Sequence, residues 1–295
     1  STARRTGKYL QDLAGQEPDK VMDALAALRE RGGAVGPKLA DLVRSGQAEA
    51  APRAAWLLGM IGSHAGDAEL LQALQAQDAV LRIAAMQALG QLRAASAVQP
   101  LCTVLGNKEE KNEVRMAAAY ALGAIGQTSA TTALVAALGE RPAPAPVTPA
   151  APAAPTAAAA APALPPDTTI PLRIAVARAL GALRDPAAIE ALVAATSDVE
   201  PDPEVRVAAA MALGDVASAA EDEEAASKAV TGLLAGLNDE VGDVRVACIH
   251  ALGQTSPRED MKATVAAAVN KAKDDDDYWA RKAADKTAQL LRLPE

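Results

Sequence analysis

Residues that commonly carry catalysis are few in this chain, and they lie far apart. It contains two histidines, His64 and His250, and two cysteines, Cys102 and Cys248. None of them has a partner at the spacing that a metal site or a nucleophile–base pair requires. Four consecutive aspartates, Asp274–Asp277, suggest a cation site, but acidic residues at the start of a predicted helix are also stabilised by the helix dipole. We therefore expect no catalytic residue, no metal site and no cofactor.

Arginine recurs at a regular spacing. Five arginines each precede a Leu-Gly pair by seven residues, and the intervals between them are 33, 58, 33 and 39 residues. They are Arg82, Arg115, Arg173, Arg206 and Arg245. The second interval contains a tract rich in proline and alanine, Pro142–Pro166, and removing its 25 residues restores the interval to 33. A period of this length indicates a solenoid, in which each unit buries its apolar face against its neighbours.

Each repeated unit consists of a first predicted helix with leucines at helical spacing, a short acidic turn, and a second helix that carries the arginine. The unit resembles the HEAT repeat, in the short, Ala-rich form also seen in phycobilin lyases and many bacterial scaffold proteins. The resemblance implies an all-α, right-handed α-solenoid of about seven HEAT-like helical hairpins. We expect capping helices at residues 1–35 and the solenoid at 36–295, interrupted at 141–167 by a Pro/Ala-rich disordered insertion. The alternative for that insertion is a proline-rich docking segment.

The five arginines admit two interpretations. An acidic residue lies six positions before four of them and four positions before the first; these residues are Asp78, Glu109, Asp167, Glu200 and Asp239. The family resemblance implies that the acidic turn residues and the arginines form a ladder of charge pairs along the stack. The other interpretation is an anion-binding site, which the negative charge of the chain disfavours.

The positions that vary between repeats are the candidates for function. With the arginine as position zero and 100° of rotation per residue, positions +5 and +9 lie together at about 140–180°, away from the apolar face. In a HEAT-like stack the second helices line the concave groove, so these side chains should form its floor. We predict that they bind a partner; the alternative is that they are exposed without a role. They are Trp56, Gln87, Tyr120, Arg178, Met211 and His250 at +5, and Gln91, Asp215 and Gln254 at +9.

Composition narrows the function further. The net charge is −8 and the isoelectric point is near 5.0, which disfavours nucleic-acid binding. No uninterrupted apolar run is long enough to insert into a membrane. Two cysteines at apolar helical positions fit a reducing compartment, and we expect a cytoplasmic location. We predict a non-enzymatic scaffold or accessory subunit of a larger complex that binds a partner protein. The alternative is a phycobilin-lyase-like subunit acting on a chromophore-carrying protein.

Overall fold

The computed structural model describes residues 2–140, 169–197, 200–255, 257 and 259–292, and within these ranges it contains sixteen α-helices and no strand. The insertion predicted at 141–167 lies outside the described residues. The helices are α1 (Thr2–Asp12), α2 (Pro18–Glu30), α3 (Gly36–Ser45), α4 (Ala50–Met60), α5 (Asp67–Ala73), α6 (Ala79–Gln91), α7 (Val98–Gly106), α8 (Asn112–Ile125), α9 (Thr131–Leu138), α10 (Ile170–Leu183), α11 (Ile189–Thr196), α12 (Pro203–Ala219), α13 (Glu223–Gly236), α14 (Gly242–Gln254), α15 (Glu259–Ala272) and α16 (Tyr278–Leu290).

Helices α3 to α16 form seven consecutive hairpins, each made of an odd-numbered first helix and an even-numbered second helix. Each second helix packs against its own first helix, and the second helices of successive hairpins, from α4 to α16, pack against one another. Helices α1 and α2 pack against each other, and α2 contacts α4 at the N-terminal end of the stack. This arrangement confirms the predicted fold class, an α-solenoid.

The two layers of the solenoid are packed to different extents. The second helices contact one another along the whole stack, whereas the first helices make fewer mutual contacts. Small residues allow this close approach: a Cβ added to Gly90 would lie 3.0 Å from the Cα of Ala121, and one added to Gly123 would lie 3.0 Å from the Cα of Ala179. This denser packing is what we expect of the layer that lines the concave side of a HEAT-like stack, and we call the exposed side of the second helices the concave side.

Acidic N-caps fix where several second helices begin. Asp202 Oδ1 accepts hydrogen bonds from the backbone N–H groups of Glu204 and Val205, at 2.9 and 3.2 Å. Asp277 caps α16 in the same way. Asp78 was predicted to pair with Arg82 in the charge ladder, but the structure makes it an N-cap instead: its side chain accepts the N–H of Val80 at 2.9 Å, and Arg82 pairs with Glu110. Such caps satisfy backbone donors that the first turn leaves free.

The repeated arginines bind carboxylates of the following hairpin. The pairs, with the nitrogen–oxygen distance of each, are Arg82–Glu110 (2.9 Å), Arg115–Glu140 (2.7 Å), Arg173–Glu200 (2.6 Å), Arg206–Asp239 (2.8 Å) and Arg245–Asp275 (2.7 Å). The predicted ladder pairs each acidic turn residue with the arginine that follows it, and this pairing is wrong. The carboxylates of Glu200 and Asp239 bind the arginine of the preceding hairpin instead. In the turn before α8, Glu110 and not Glu109 binds the preceding arginine, Arg82. Asp167 lies outside the described residues.

Each acidic residue of the C-terminal part of the ladder links two arginines. The Asp239 carboxylate accepts from Arg206, while the Asp239 backbone carbonyl accepts from Arg245 Nη1 at 2.9 Å. Glu200 joins Arg173 and Arg206 in the same manner. The side chains of Arg173 and Glu200 are only 1% and 4% exposed, so the charges are well removed from water. The ladder thus connects successive turns and holds the second helices in register.

Candidate partner-binding groove

The +5 side chains lie in one row along the concave side, and we call this set the variable row. Tyr120 is 46% exposed, and Trp56 and Met211 are each 37% exposed. Gln87 and Arg178 are also exposed, while His250 is half-buried. In α16 the row continues with the exposed Lys286, which is five residues after Arg281. The repeat therefore presents a different side chain at nearly every step along the groove.

The +9 side chains lie about one helical turn beyond the +5 side chains, on the same side of the same helices. Gln91 and Gln254 are exposed, and Asp215 is half-buried. Burial raises the pKa of the Asp215 carboxyl, and the nearby charge of Arg184 partly opposes that rise. These residues form one edge of the groove.

An apolar stripe that sequence reasoning missed runs beside the variable row. It is formed by the residue that directly follows each repeated arginine: Ile83, Met116, Ile174, Val207 and Val246. All five are half-buried and pack on the core while still facing the groove. The signal was present, since position +1 is apolar in every one of these repeats. Its helical angle of about 100° lies outside the predicted buried face, so helical periodicity alone does not identify it as part of the packed surface.

The opposite edge of the groove is acidic over three of the second helices. Glu113, Glu204 and Asp243 each lie two residues before the repeated arginine, in the first turn of α8, α12 and α14. Their side chains are exposed, and none of the three forms an ion pair with another residue that the structure describes. We call this set the acidic edge. In α6 and α10 the same position holds Val80 and Pro171.

The variable row, the apolar stripe and the acidic edge meet in a cavity of about 590 Å³ across α10, α12 and α14. Its floor contains Ile174, Val207 and Val246 of the apolar stripe. Its edges bring together the predicted residues Arg178, Met211, Asp215 and His250 with Glu204 and Asp243 of the acidic edge. Four of the nine predicted partner-binding residues therefore line one cavity.

Trp56 belongs to a separate concavity at the N-terminal end. A cavity of about 570 Å³ lies between α2 and α4, lined by Met22, Leu25, Ala26, Arg29, Pro52, Arg53 and Trp56. Arg53 Nη1 donates to the backbone carbonyl of Leu13 at 2.6 Å, which ties α4 to the segment after α1. The structure thus does not place Trp56 in the cavity that contains Arg178.

The two histidines occupy unrelated environments. Burial, with a smaller effect from the charge of Lys286, lowers the pKa of His250, so this side chain is neutral near pH 7. His64 lies in an exposed turn, where its Nδ1 is 2.9 Å from Asp67 Oδ2. In the part of the chain that the structure describes, no three His, Cys, Asp or Glu side chains are grouped to hold a metal ion. No helix in that part is both long and apolar enough to cross a membrane.

Comparison with known proteins agrees with this architecture. The family model for HEAT repeats matches residues 67–151 and 158–234, which is more than half of the chain. An engineered protein of known crystal structure is similar over 92% of this chain and 71% of its own, with 21% identity and a TM-score of 0.53. The CpcE–CpcF complex of phycocyanin lyase from Nostoc sp. PCC7120 matches 65% of this chain and 98% of its own, with 21% identity and a TM-score of 0.46.

A designed armadillo repeat protein in complex with the peptide (KR)4 matches 96% of this chain and 98% of its own, with 16% identity and a TM-score of 0.43. No curated protein matches the sequence significantly.

Proposed function

The chain belongs to the HEAT-repeat family, and we propose that it is a non-enzymatic scaffold or accessory subunit that holds a partner protein in its concave groove. One observation carries this proposal. The core positions of the second helices repeat almost unchanged, whereas the exposed variable row differs at nearly every hairpin. Packing dictates the first set and leaves the second free, so the second is available for recognition.

The residue types in the groove support the same function. Tyr120, Met211 and Arg178 are exposed side chains of the kinds that are enriched in protein interfaces. They stand beside the half-buried apolar stripe, from which a partner would displace water. Burial of apolar surface contributes about 25 cal/mol per Å², which is the main favourable term in most protein association.

Site-specific photocrosslinking tests the proposal directly. We expect the full chain carrying p-benzoylphenylalanine at Tyr120 to form a covalent adduct with a partner protein in an extract of the source cells. The same group at Gln99, which is exposed on the first helix α7, serves as the control and should give no such adduct. Adducts at Gln99 alone, or at both positions equally, would contradict binding through the groove.

A double variant tests the same face without a chemical label. We expect Tyr120→Ala with Arg178→Ala to weaken retention of the crosslinked partner. Both side chains are exposed, so helical content and thermal melting should not change. If the double variant instead loses its fold, the two residues are structural, and their assignment to partner binding is wrong.

A further inference from the structure

We infer that the groove accepts a basic amphipathic helix of the partner. This inference rests on the proposed function and adds the chemistry and conformation of the bound segment. It follows from three properties of the concave face: a continuous apolar stripe, an acidic edge without ion pairs among the described residues, and a cavity that suits a long basic side chain.

The apolar stripe sets the length and polarity of the contact. Ile83, Met116, Ile174, Val207 and Val246 follow one another on five adjacent second helices. Packed helices lie about 8–10 Å apart, so the stripe is about 32–40 Å long. A helix rises about 1.5 Å per residue, and a partner helix of about 21–27 residues would span it.

The chemistry of the stripe favours a helix over an extended segment. An extended peptide buries backbone N–H and C=O groups that must find hydrogen-bond partners, whereas a helix pairs these groups internally. Ile174, Val207 and Val246 offer no side-chain donor or acceptor. Where the adjoining variable row passes through the cavity, it presents Arg178, Met211 and His250. It therefore offers no repeated side-chain amide that could pair with the backbone of an extended peptide. The apolar face of an amphipathic helix satisfies this surface without further donors.

The charge of the groove determines which residues the polar face of the partner helix should carry. Glu113, Glu204 and Asp243 are exposed along one edge of the groove and form no ion pair with a described residue. The helix dipole accounts for acidic residues in a first turn, but it leaves their charges directed at whatever lies in the groove. The chain as a whole carries a net charge of −8. A partner with lysines or arginines on that side would therefore be attracted and oriented.

The cavity across α10, α12 and α14 provides room for one such side chain. Val207, Val246 and Met211 offer an apolar surface for the methylene stem of a lysine or arginine. Glu204 and Asp243, at the N-terminal ends of α12 and α14, would meet its charged end. On α10 the position equivalent to the acidic edge is Pro171, and Arg178 lies seven residues, about 10 Å, further along the helix axis. The charge of Arg178 disfavours a basic group of the partner on the side of the groove away from the acidic edge.

Binding of designed helical peptides to the full chain tests the inference. Three 24-residue probes would share one leucine face and carry lysine and arginine, glutamine and serine, or glutamate on the polar face. We expect fluorescence anisotropy to show at least tenfold tighter binding of the basic probe than of the acidic one, with an affinity that falls as salt rises. Equal or tighter binding of the neutral or acidic probe, or no binding of any probe, overturns the inference.

Variants of the acidic edge locate the binding and separate this inference from the proposed function. Glu204→Gln with Asp243→Asn should weaken the basic probe about threefold to tenfold, as expected for two partly exposed ion pairs. Glu190→Gln with Glu224→Gln, at exposed first-turn glutamates of the outer helices α11 and α13, removes the same number of charges. This pair is the matched control and should leave affinity unchanged. Equal effects of the two changes overturn the inference. An adduct at Tyr120 with an acidic or extended partner segment would overturn this inference and leave the scaffold function standing.

Discussion

The contact between glycine and alanine in the inner layer leads to a prediction about stability. Gly214 lies in the interior of α12, where it faces Ala251 of α14. A Cβ added to Gly214 would lie 2.8 Å from the Ala251 Cβ and 2.9 Å from its Cα. Carbon atoms in contact normally lie about 3.5–4.0 Å apart, so the two helices must separate to accommodate the methyl group.

Two opposing effects determine the expected result for Gly214→Ala. Replacing glycine by alanine within a helix favours folding by about 1 kcal/mol, whereas overpacking a well-filled contact costs about 1–3 kcal/mol. We expect Gly214→Ala to be destabilising by about 0–2 kcal/mol, and Gly214→Val to cost more. Gly7, within α1, has no neighbour within 4 Å of the added Cβ. Gly7→Ala should therefore stabilise α1 by about 0.5–1 kcal/mol.

The repeats of a solenoid need not unfold together, so the effect of each substitution on stability must be measured locally. Hydrogen exchange followed by mass spectrometry provides this local measurement. We expect faster exchange in α12 and α14 for Gly214→Ala and slower exchange in α1 for Gly7→Ala. Adding Ala251→Gly to Gly214→Ala should restore part of the protection, since it removes the nearer contact atom. If Gly214→Ala slows exchange as Gly7→Ala does, the close approach of the second helices is not what the structure indicates.

Three further predictions concern buried charges and thiols. Glu200→Gln should destabilise the chain by about 1.5–3 kcal/mol in urea unfolding, because it replaces the charged acceptor of the buried Arg173–Glu200 hydrogen bond with a neutral amide. Glu224→Gln on the exposed surface should have no measurable effect. Hydrogen bonding to Arg245 lowers the pKa of Asp275 to about 2. The contribution of the ionised Asp275 to stability is therefore complete above about pH 4 and is lost as the pH falls toward 2. Asp275→Asn should lower the free energy of unfolding at pH 7 and flatten its dependence on pH in this range. Burial, with the charge of Asp239, raises the pKa of Cys248 to about 12. In the native chain Cys248 should therefore react with iodoacetamide at pH 8 more slowly than the half-buried Cys102. The two rates should converge in denaturant.

Sequence periodicity was sufficient to predict the fold because each repeat buries the same face. The positions of Val114, Leu122 and their equivalents follow from a 100° rotation, and the structure buries them. The ladder required more than periodicity. Whether Glu109 or Glu110 pairs with Arg82 depends on the conformation of the turn before α8, and helical spacing does not specify that turn.

The groove was predictable only in part, for a related reason. Helical angles place the variable row on one side of the second helices, but the exposure of each side chain also depends on how far neighbouring helices cover that side. The stripe residues Val207 and Val246 are half-buried and pack against the core, which a single-helix projection cannot show. The separation of Trp56 from Arg178 likewise depends on α2, which contacts α4 and makes a cavity of its own.

The second helices pack against one another in nearly the same way in every hairpin, and this uniform packing bears on how the groove could be specific for a partner. Gly90, Gly123 and Gly214 each abut an alanine of the next second helix, so these small residues fix the distance between successive backbones. Side chains at +1, +5 and +9 then recur at a nearly constant spacing, and only their identity changes. In the function proposed above, recognition would therefore depend on the order of side chains such as Tyr120 and Arg178 rather than on backbone geometry. Exchanging these two residues should alter partner affinity while leaving the melting temperature unchanged, and a fall in melting temperature would show that packing constrains the row after all.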